Sequence, residues 1–253
     1  MSNIILAGFG FVGKAYHNAF KNHHNISVVD PKLDSHTVKD FLDYEGIIVC
    51  VPTPQSDDGS CDMSYVFSVI KQVPEDMPIM IKSTISLEGW KELSIRFPNH
   101  AITFSPEFLR AATANEDVLA TKNIIVAGGN VAFWKSVYSS VFHKASIYET
   151  SVEEAILIKY FRNSFLATKV SYFNQVFDFC NELGADFSKV RLGIALDDRI
   201  GDSHTYVSPS DRGFGGYCFP KDTAAILSTS ELFNVDLSVI EAAVEYNNRI
   251  RND

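Results

Sequence analysis

The stretch Asn3-Ile4-Ile5-Leu6-Ala7-Gly8-Phe9-Gly10-Phe11-Val12-Gly13 decides the fold. Residues 3–7 are a short apolar run and read as a buried strand. Three glycines follow at GxGxxG spacing, and a helical pattern runs from about Val12 to Asn22. Gly8 permits the tight turn, Gly10 lets backbone approach a pyrophosphate, and Gly13 lets helix and strand pack closely. The helix opening there turns its unpaired N–H groups and positive dipole end toward phosphates. The next strand, 26–30, ends at Asp30, 17 residues beyond Gly13. A carboxylate at that place accepts hydrogen bonds from ribose hydroxyls and repels a 2′-phosphate, which favours NAD over NADP. A lone GxGxxG is a weak signal, but strand, helix and acid in register read as a dinucleotide cradle. Gly8, Gly10, Phe11, Val12, Gly13 and Asp30 are its residues.

Downstream, strands and helices alternate. Strands are expected at 46–51, 78–83, 101–104, 123–127 and 145–149. Helices are expected near 36–43, 63–73, 87–96 and 130–141. That alternation predicts a Rossmann-type, doubly wound parallel sheet with helices on both faces. The pattern changes at Ser151-Val-Glu-Glu154, a capping-box signature. An apolar-rich run then continues without Pro or Gly to Leu183, where Gly184 stops it. Further helices are expected at 186–197, 221–233 and 236–250. The expected domains are therefore 1–150, a dinucleotide-binding domain, and 151–253, an all-α domain built on a long helix.

Composition bounds the function. The chain has 253 residues, 46% of them hydrophobic and 21% charged, an ordinary globular balance. Its net charge is -9, opposite to what a general nucleic-acid or anionic-membrane binder needs. No run of about 18 apolar residues exists, so no membrane span is expected. The apolar N-terminus lacks a basic n-region and runs into the glycine motif, so it reads as a strand rather than a signal peptide. The four cysteines, Cys50, Cys61, Cys180 and Cys218, form no CxxC pair, and no metal site is expected. Few, scattered thiols fit a reducing cytoplasm.

Two segments of the second half bear chemistry. The stretch 198–220 is polar and glycine-rich; a loop of that length is functional or disordered, and its density of Gly, Arg and aromatics favours function. Within it, Gly213-Phe214-Gly215-Gly216-Tyr217-Cys218-Phe219-Pro220-Lys221-Asp222 sets three glycines before a cysteine and a helix start. Glycines let backbone N–H groups approach a ligand. Cys218 is a nucleophile if its thiolate is stabilised, and Lys221 and the helix N-terminus supply that setting. Asp222 would orient water or accept a proton. The alternative is a buried cysteine beside a helix cap, with Asp222 as the capping acid. The second segment is Lys159 and Asn163, four apart on the long helix and so on one face. An ammonium and an amide there suit a developing oxyanion. The alternative is a solvated stripe.

Taken in order, GFGFVG (8–13), VCVPTP (49–54), Ser83-Thr84-Ile85, Ser105-Pro-Glu107-Phe108-Leu109-Arg110, Lys159 to Asn163 with the following 164–175, and Gly213 to Asp222 resemble the UDP-glucose/GDP-mannose dehydrogenase family. The resemblance implies oxidation of the C6 alcohol of a nucleotide sugar to a carboxylate, with two NAD and no release of aldehyde. It implies a thiohemiacetal and then a thioester on Cys218, oxyanion stabilisation by Lys159 and Asn163, and water and proton handling by Asp222 and Thr84. Glu107 would assist thioester hydrolysis. Pro52, Thr53 and Thr84 would join the cofactor site. Phe108, Leu109, Arg110, Arg199, Gly213, Phe214, Gly215, Gly216 and Lys221 would meet the substrate, and Arg110, Arg199, Arg212 and Lys221 are the expected cations for its pyrophosphate.

The chain departs from the family pattern at Ser105, at Ala111 and Ala112, and at Tyr217. The family's further C-terminal domain, which closes over the nucleotide, is not matched in these residues, so its uridine contacts are expected to be missing or to come from elsewhere. Two competing expectations are a two-electron β-hydroxyacid-type dehydrogenase, which needs no cysteine, and a non-catalytic binding protein that kept the fold. Phe161, Phe165, Phe173, Phe177 and Phe179 make the long helix too apolar for a monomer surface. A homodimer through that helix is expected, with a single-chain core as the alternative.

Overall fold

The computed structural model describes residues 1–33, 41–56 and 59–251. The chain divides into two compact units, 1–56 with 61–159, and 57–60 with 160–253.

The first unit is built on a sheet of β1 (Asn3–Ala7), β2 (Asn25–Val29), β3 (Gly46–Val49), β4 (Ile79–Ile81), β5 (Ile102–Phe104), β6 (Asn123–Gly128) and β7 (Ser146–Thr150). Their order is β2-β1-β3-β4-β5-β6-β7. The order reverses between β1 and β3, and the crevice beyond the C-terminal ends of those strands is where open α/β sheets hold ligands. Gly8 and Cys50 directly follow these two strands. The helices of this unit are α1 (Phe11–Phe20), α2 (Ser64–Ile70), α3 (Leu87–Arg96), α4 (Ala114–Leu119) and α5 (Val131–Val141). The helix expected near 36–43 falls largely outside the described residues.

Alternate strand residues serve different faces. Ile4, Leu6, Ile48, Met80, Ile124 and Val126 share a core with Tyr16, Phe20, Trp134, Tyr138 and Phe142. The intervening Ile5, Ile47, Val49, Ile79 and Ile81 are equally buried, as are Val66, Ile70 and Leu93 of α2 and α3. Strands apolar at every position belong to a sheet covered on both sides.

One pairing departs from the expected parallel sheet. β6 runs antiparallel to β5, with Thr103 opposite Gly128. The link between them, residues 105–122, holds a one-turn 3-10 helix at Ala111–Thr113 and the six-residue α4. No apolar period of helical length announces α4, and nothing in the residue pattern marks the reversal.

The long helix α6 (Val152–Leu183) begins in the first unit and continues into the second. Its start is the expected reciprocal cap: Glu154 N–H donates to Ser151 Oγ at 3.2 Å and Ser151 N–H to the Glu154 carboxylate at 3.0 Å. Gly184, at φ +74°, ends it, and Ala185 N–H donates back to Cys180 O at 2.8 Å. The second unit adds α7 (Phe187–Ala195), α8 (Phe219–Leu232) and α9 (Ser238–Ile250). Ser171 on α6 donates to Ala243 O on α9 at 2.9 Å.

Trp134 is fully buried and stacks edge-on against Phe133 at 4.9 Å. Trp134→Ala should cost about 3–5 kcal/mol of stability, read as a lowered urea midpoint.

Candidate functional site

The glycine turn of the first unit is built for close approach. Gly8 sits at φ +93°, and a Cβ there would fall 2.6 Å from Cys50 O. A Cβ on Gly13 would meet Gly8 O at 2.1 Å, so helix and turn touch backbone to backbone. Gly10 is different: nothing lies within 4 Å of a Cβ there. Gly10 is also the N-cap of α1 and offers no side-chain cap, so the first N–H groups of Phe11, Val12 and Gly13 are left for a ligand. Asp30 Oδ2 accepts from Phe9 N–H at 2.6 Å and Oδ1 from Lys32 N–H at 2.8 Å. Burial pushes its carboxyl up, but the Lys32 and Phe9 amides outweigh it, and the group lies below the usual carboxylate range. Asp30 is therefore an anion at neutral pH, tied to the turn that opens the helix. An open helix N-terminus, an uncrowded Gly10 and a fixed carboxylate fit a dinucleotide. Thr53 is buried after β3, and Thr84 O accepts from the Cys61 thiol at 3.5 Å.

After β5 the chain passes through Ser105-Pro106-Glu107, outside any helix or strand. Lys159 Nζ donates to Glu107 O at 2.6 Å and to its Oε1 at 2.9 Å. Glu107 Oε2 accepts from Leu109 N–H at 2.6 Å. Both partners of this ion pair are buried, and the ring of Phe108 lies 5.4 Å from the ammonium.

Beneath this segment lies a lysine that motif reasoning did not single out. Lys82, 2% exposed at the end of β4, donates to Ser105 Oγ at 3.2 Å, Pro106 O at 3.4 Å and Tyr138 OH at 3.2 Å. Its ammonium also faces the Tyr16 ring at 4.5 Å. The one available signal was a lysine closing the apolar strand Pro78-Ile-Met-Ile-Lys82. Burial pulls Lys82 from 10.5 down to about 7, with Cys50 and Glu107 opposing and Lys159 assisting.

In the second unit, Cys218 is the N-cap of α8 and partly exposed, whereas Cys50, Cys61 and Cys180 are buried. A sulfur at a helix N-cap lies at the positive end of the dipole. Gly213 and Gly216 adopt φ of +74° and +76°. Asp222, in the first turn of α8, is 1% exposed. Its Oδ2 accepts from Asn163 Nδ2 at 2.5 Å and its Oδ1 from Lys221 Nζ at 2.7 Å. The carboxylate thus does not cap the helix, which removes the capping alternative. Lys159 and Asn163 are 3% and 7% exposed, one turn apart on α6, so they are no solvated stripe.

The four expected pyrophosphate cations are all paired. Arg110 binds Asp117 through Nε at 3.0 Å and Nη2 at 2.5 Å, and it holds the Asp117 carboxyl at about 2. Arg199 pairs with Asp197, Arg212 with Asp178 and Lys221 with Asp222. Arg110 and Arg199 stay largely exposed within their pairs. Among the described residues no cluster of three or more His, Cys, Asp or Glu is placed to hold a metal ion, and no helix is long and apolar enough to cross a membrane.

Comparison with known proteins now bears on this arrangement. Residues 32–146 match the NAD binding domain of the UDP-glucose/GDP-mannose dehydrogenase family, and residues 153–249 match its central domain. The chain belongs to that family. UDP-glucose 6-dehydrogenase of Rickettsia felis is 33% identical over 215 residues, which cover 80% of this chain and 47% of that protein. The chain thus spans about half the length of the curated relatives it matches. A UDP-glucose dehydrogenase from Pyrobaculum islandicum superposes with a TM-score of 0.84 at 26% identity, over 98% of this chain and 68% of that one. A 3-hydroxyisobutyrate dehydrogenase from Mycobacterium tuberculosis shares the fold, with a TM-score of 0.74 at 16% identity over 97% of this chain and 92% of that one.

A base whose folded value lies below its unfolded value binds more protons when unfolded. Lys82 should therefore make stability rise with pH above about 7, by up to about 1.4 kcal/mol per unit. Cys50, pushed up to about 12 by burial, opposes this only above its ordinary 9.0. Urea midpoints measured from about pH 7 to 9 should climb in the native protein and stay flatter in Lys82→Met.

Proposed function

We propose that the chain carries the NAD-binding and catalytic halves of a nucleotide-sugar 6-dehydrogenase, oxidising UDP-glucose to UDP-glucuronate. The observation that carries this reading is the pair of buried contacts, Lys159 on Glu107 and Asn163 on Asp222, together with Cys218 at the head of α8. Each expected catalytic side chain of α6 is held by an expected catalytic carboxylate. Family membership and relatives named UDP-glucose 6-dehydrogenase support the substrate class.

In this reading residues 1–150 hold the cofactor and 151–253 carry the nucleophile. NAD, when bound, accepts one hydride in each of two successive oxidations. The C6 alcohol first loses a hydride and a proton and becomes an aldehyde. The Cys218 thiolate adds to it, forming a C–S bond and an alkoxide that the ammonium of Lys159 and the amide of Asn163 stabilise. Loss of the second hydride leaves a thioester. Water attacks it, the C–S bond breaks, and the carboxylate departs as the thiol reforms. Asp222 and Thr84 orient the water and take its proton, and Glu107 assists that hydrolysis. Phe108, Leu109, the 213–216 backbone, Arg110, Arg199 and Lys221 meet the sugar nucleotide.

The fold is shared with a β-hydroxyacid-type dehydrogenase, so the cysteine discriminates. Turnover with NAD and a panel of UDP- and GDP-sugars should give two equivalents of reduced cofactor per acid formed, and Cys218→Ala should form no acid. One equivalent per product would instead mark a simple alcohol oxidation, and NAD binding without turnover a binding protein.

We also propose a homodimer through α6. Phe161, Phe165, Tyr172 and Phe179 are exposed on that helix, while Phe173 is buried. Light scattering should return twice the 28.2 kDa chain mass, and a clean monomer would sink the dimer.

A further inference from the structure

The loop preceding Cys218 has no ladder or helix of its own, yet two helices grip its backbone. Asn247 of α9 is 4% exposed and spends its whole amide on one residue. Its Oδ1 accepts from Phe214 N–H at 2.6 Å, and its Nδ2 donates to Phe214 O at 3.1 Å. A neighbouring β-strand makes the same two bonds to a paired residue. Here one side chain makes both.

Asn174 of α6, 1% exposed, holds the residue before. Its Oδ1 accepts from Gly213 N–H at 3.2 Å and from Arg212 Nε at 2.7 Å. Its Nδ2 donates to Val170 O at 2.9 Å, which fixes the amide's orientation. Arg212 reaches on to Asn174 O at 3.2 Å and to Asp178 at 2.8 Å, over the face of Phe177. Tyr246 donates to Asp178, and Arg251 Nη1 donates to Arg212 O at 3.2 Å. Arg251 is also paired with Asp211.

The grip leaves no slack at Gly213. Its φ is +74°, and a Cβ would fall 2.3 Å from Asn247 Oδ1. The side chain of Phe214 is buried and meets the ring of Phe219 edge-on at 6.2 Å. Phe219 is the first residue of α8 and follows Cys218, and His204 packs on its ring at 5.6 Å. The clamp therefore reaches the nucleophile through Phe214 and Phe219.

We propose that Asn247 is a positioning residue for the Cys218 thiol: its amide, seated by Asn174 and Arg212, fixes the 213–217 loop and thereby seats the sulfur at the N-terminus of α8. This rests on the reading of Cys218 as nucleophile. A carboxylate in the same shape loses the donor and turns an oxygen on Phe214 O, while a leucine loses both bonds.

The test follows iodoacetamide alkylation of the Cys218 peptide by mass spectrometry in the native chain, Asn247→Asp and Asn247→Leu, with backbone hydrogen exchange on the same samples. Lys221 and Asp222 stay unchanged in all three. Exchange at 213–217 should rise in both variants. Alkylation near pH 7 should fall by about fivefold or more and recover near pH 9, where the thiol ionises unaided. A folded variant with faster loop exchange and an unchanged alkylation profile would overturn the proposal, and so would unchanged loop exchange. Cys218→Ala is assayed in parallel with NAD and UDP-glucose. Its full turnover would refute the nucleophile reading, while the alkylation profile would still report on the clamp.

Discussion

An ammonium withdrawn from water needs its lost hydration replaced, and Glu107 gives Lys159 two such contacts, from its carbonyl and its carboxylate. Much of the first unit follows from that requirement. The chain must leave β5 so that both the carbonyl and the carboxylate of Glu107 reach one nitrogen. The capping box at Ser151 and Glu154 sets where α6 starts, and hence which way Lys159 points. Lys82 lies under the same segment and holds Ser105 and Pro106 from below. Two buried cations thus bracket one short loop, and only the upper one has a carboxylate as an ion-pair partner among the described residues.

Second-unit organisation repeats the principle with amides as the main partners. The buried side chain of Asp222 meets an amide on one oxygen and the Lys221 nitrogen on the other. The glycine loop is buried backbone, satisfied by two asparagines. In each case a polar group that burial would penalise is answered by a side chain from a helix, whose own backbone is already paired.

Legibility in the sequence followed the range of the interaction. The glycine turn, Asp30, the capping box and the Lys159–Asn163 spacing are local, and all could be read from a few neighbouring residues. Their outcome in space could not. Spacing alone left Lys159 and Asn163 undecided between pocket and solvent, and their burial excludes the solvated stripe. The antiparallel β6 follows a link whose one α-helix, six residues long, has no apolar period of its own. Lys82 and Asn247 were invisible because their partners lie 23 and 33 residues away or more, and because lysine and asparagine are ordinarily surface residues. The arginines were legible as charges only; that each had already found an acid was a property of the fold.

The cradle glycines carry a last consequence. Gly8 and Gly13 are crowded by the protein's own backbone, whereas Gly10 has open space where a side chain would stand and an ordinary extended conformation. Selection for a folded chain therefore acts on two of the three positions and is blind to the third. A library sorted by solubility alone would keep replacements at Gly10 that sorting by ligand capture would discard. The difference between the two sorted pools would reveal which residue exists for the ligand and which exist for the fold.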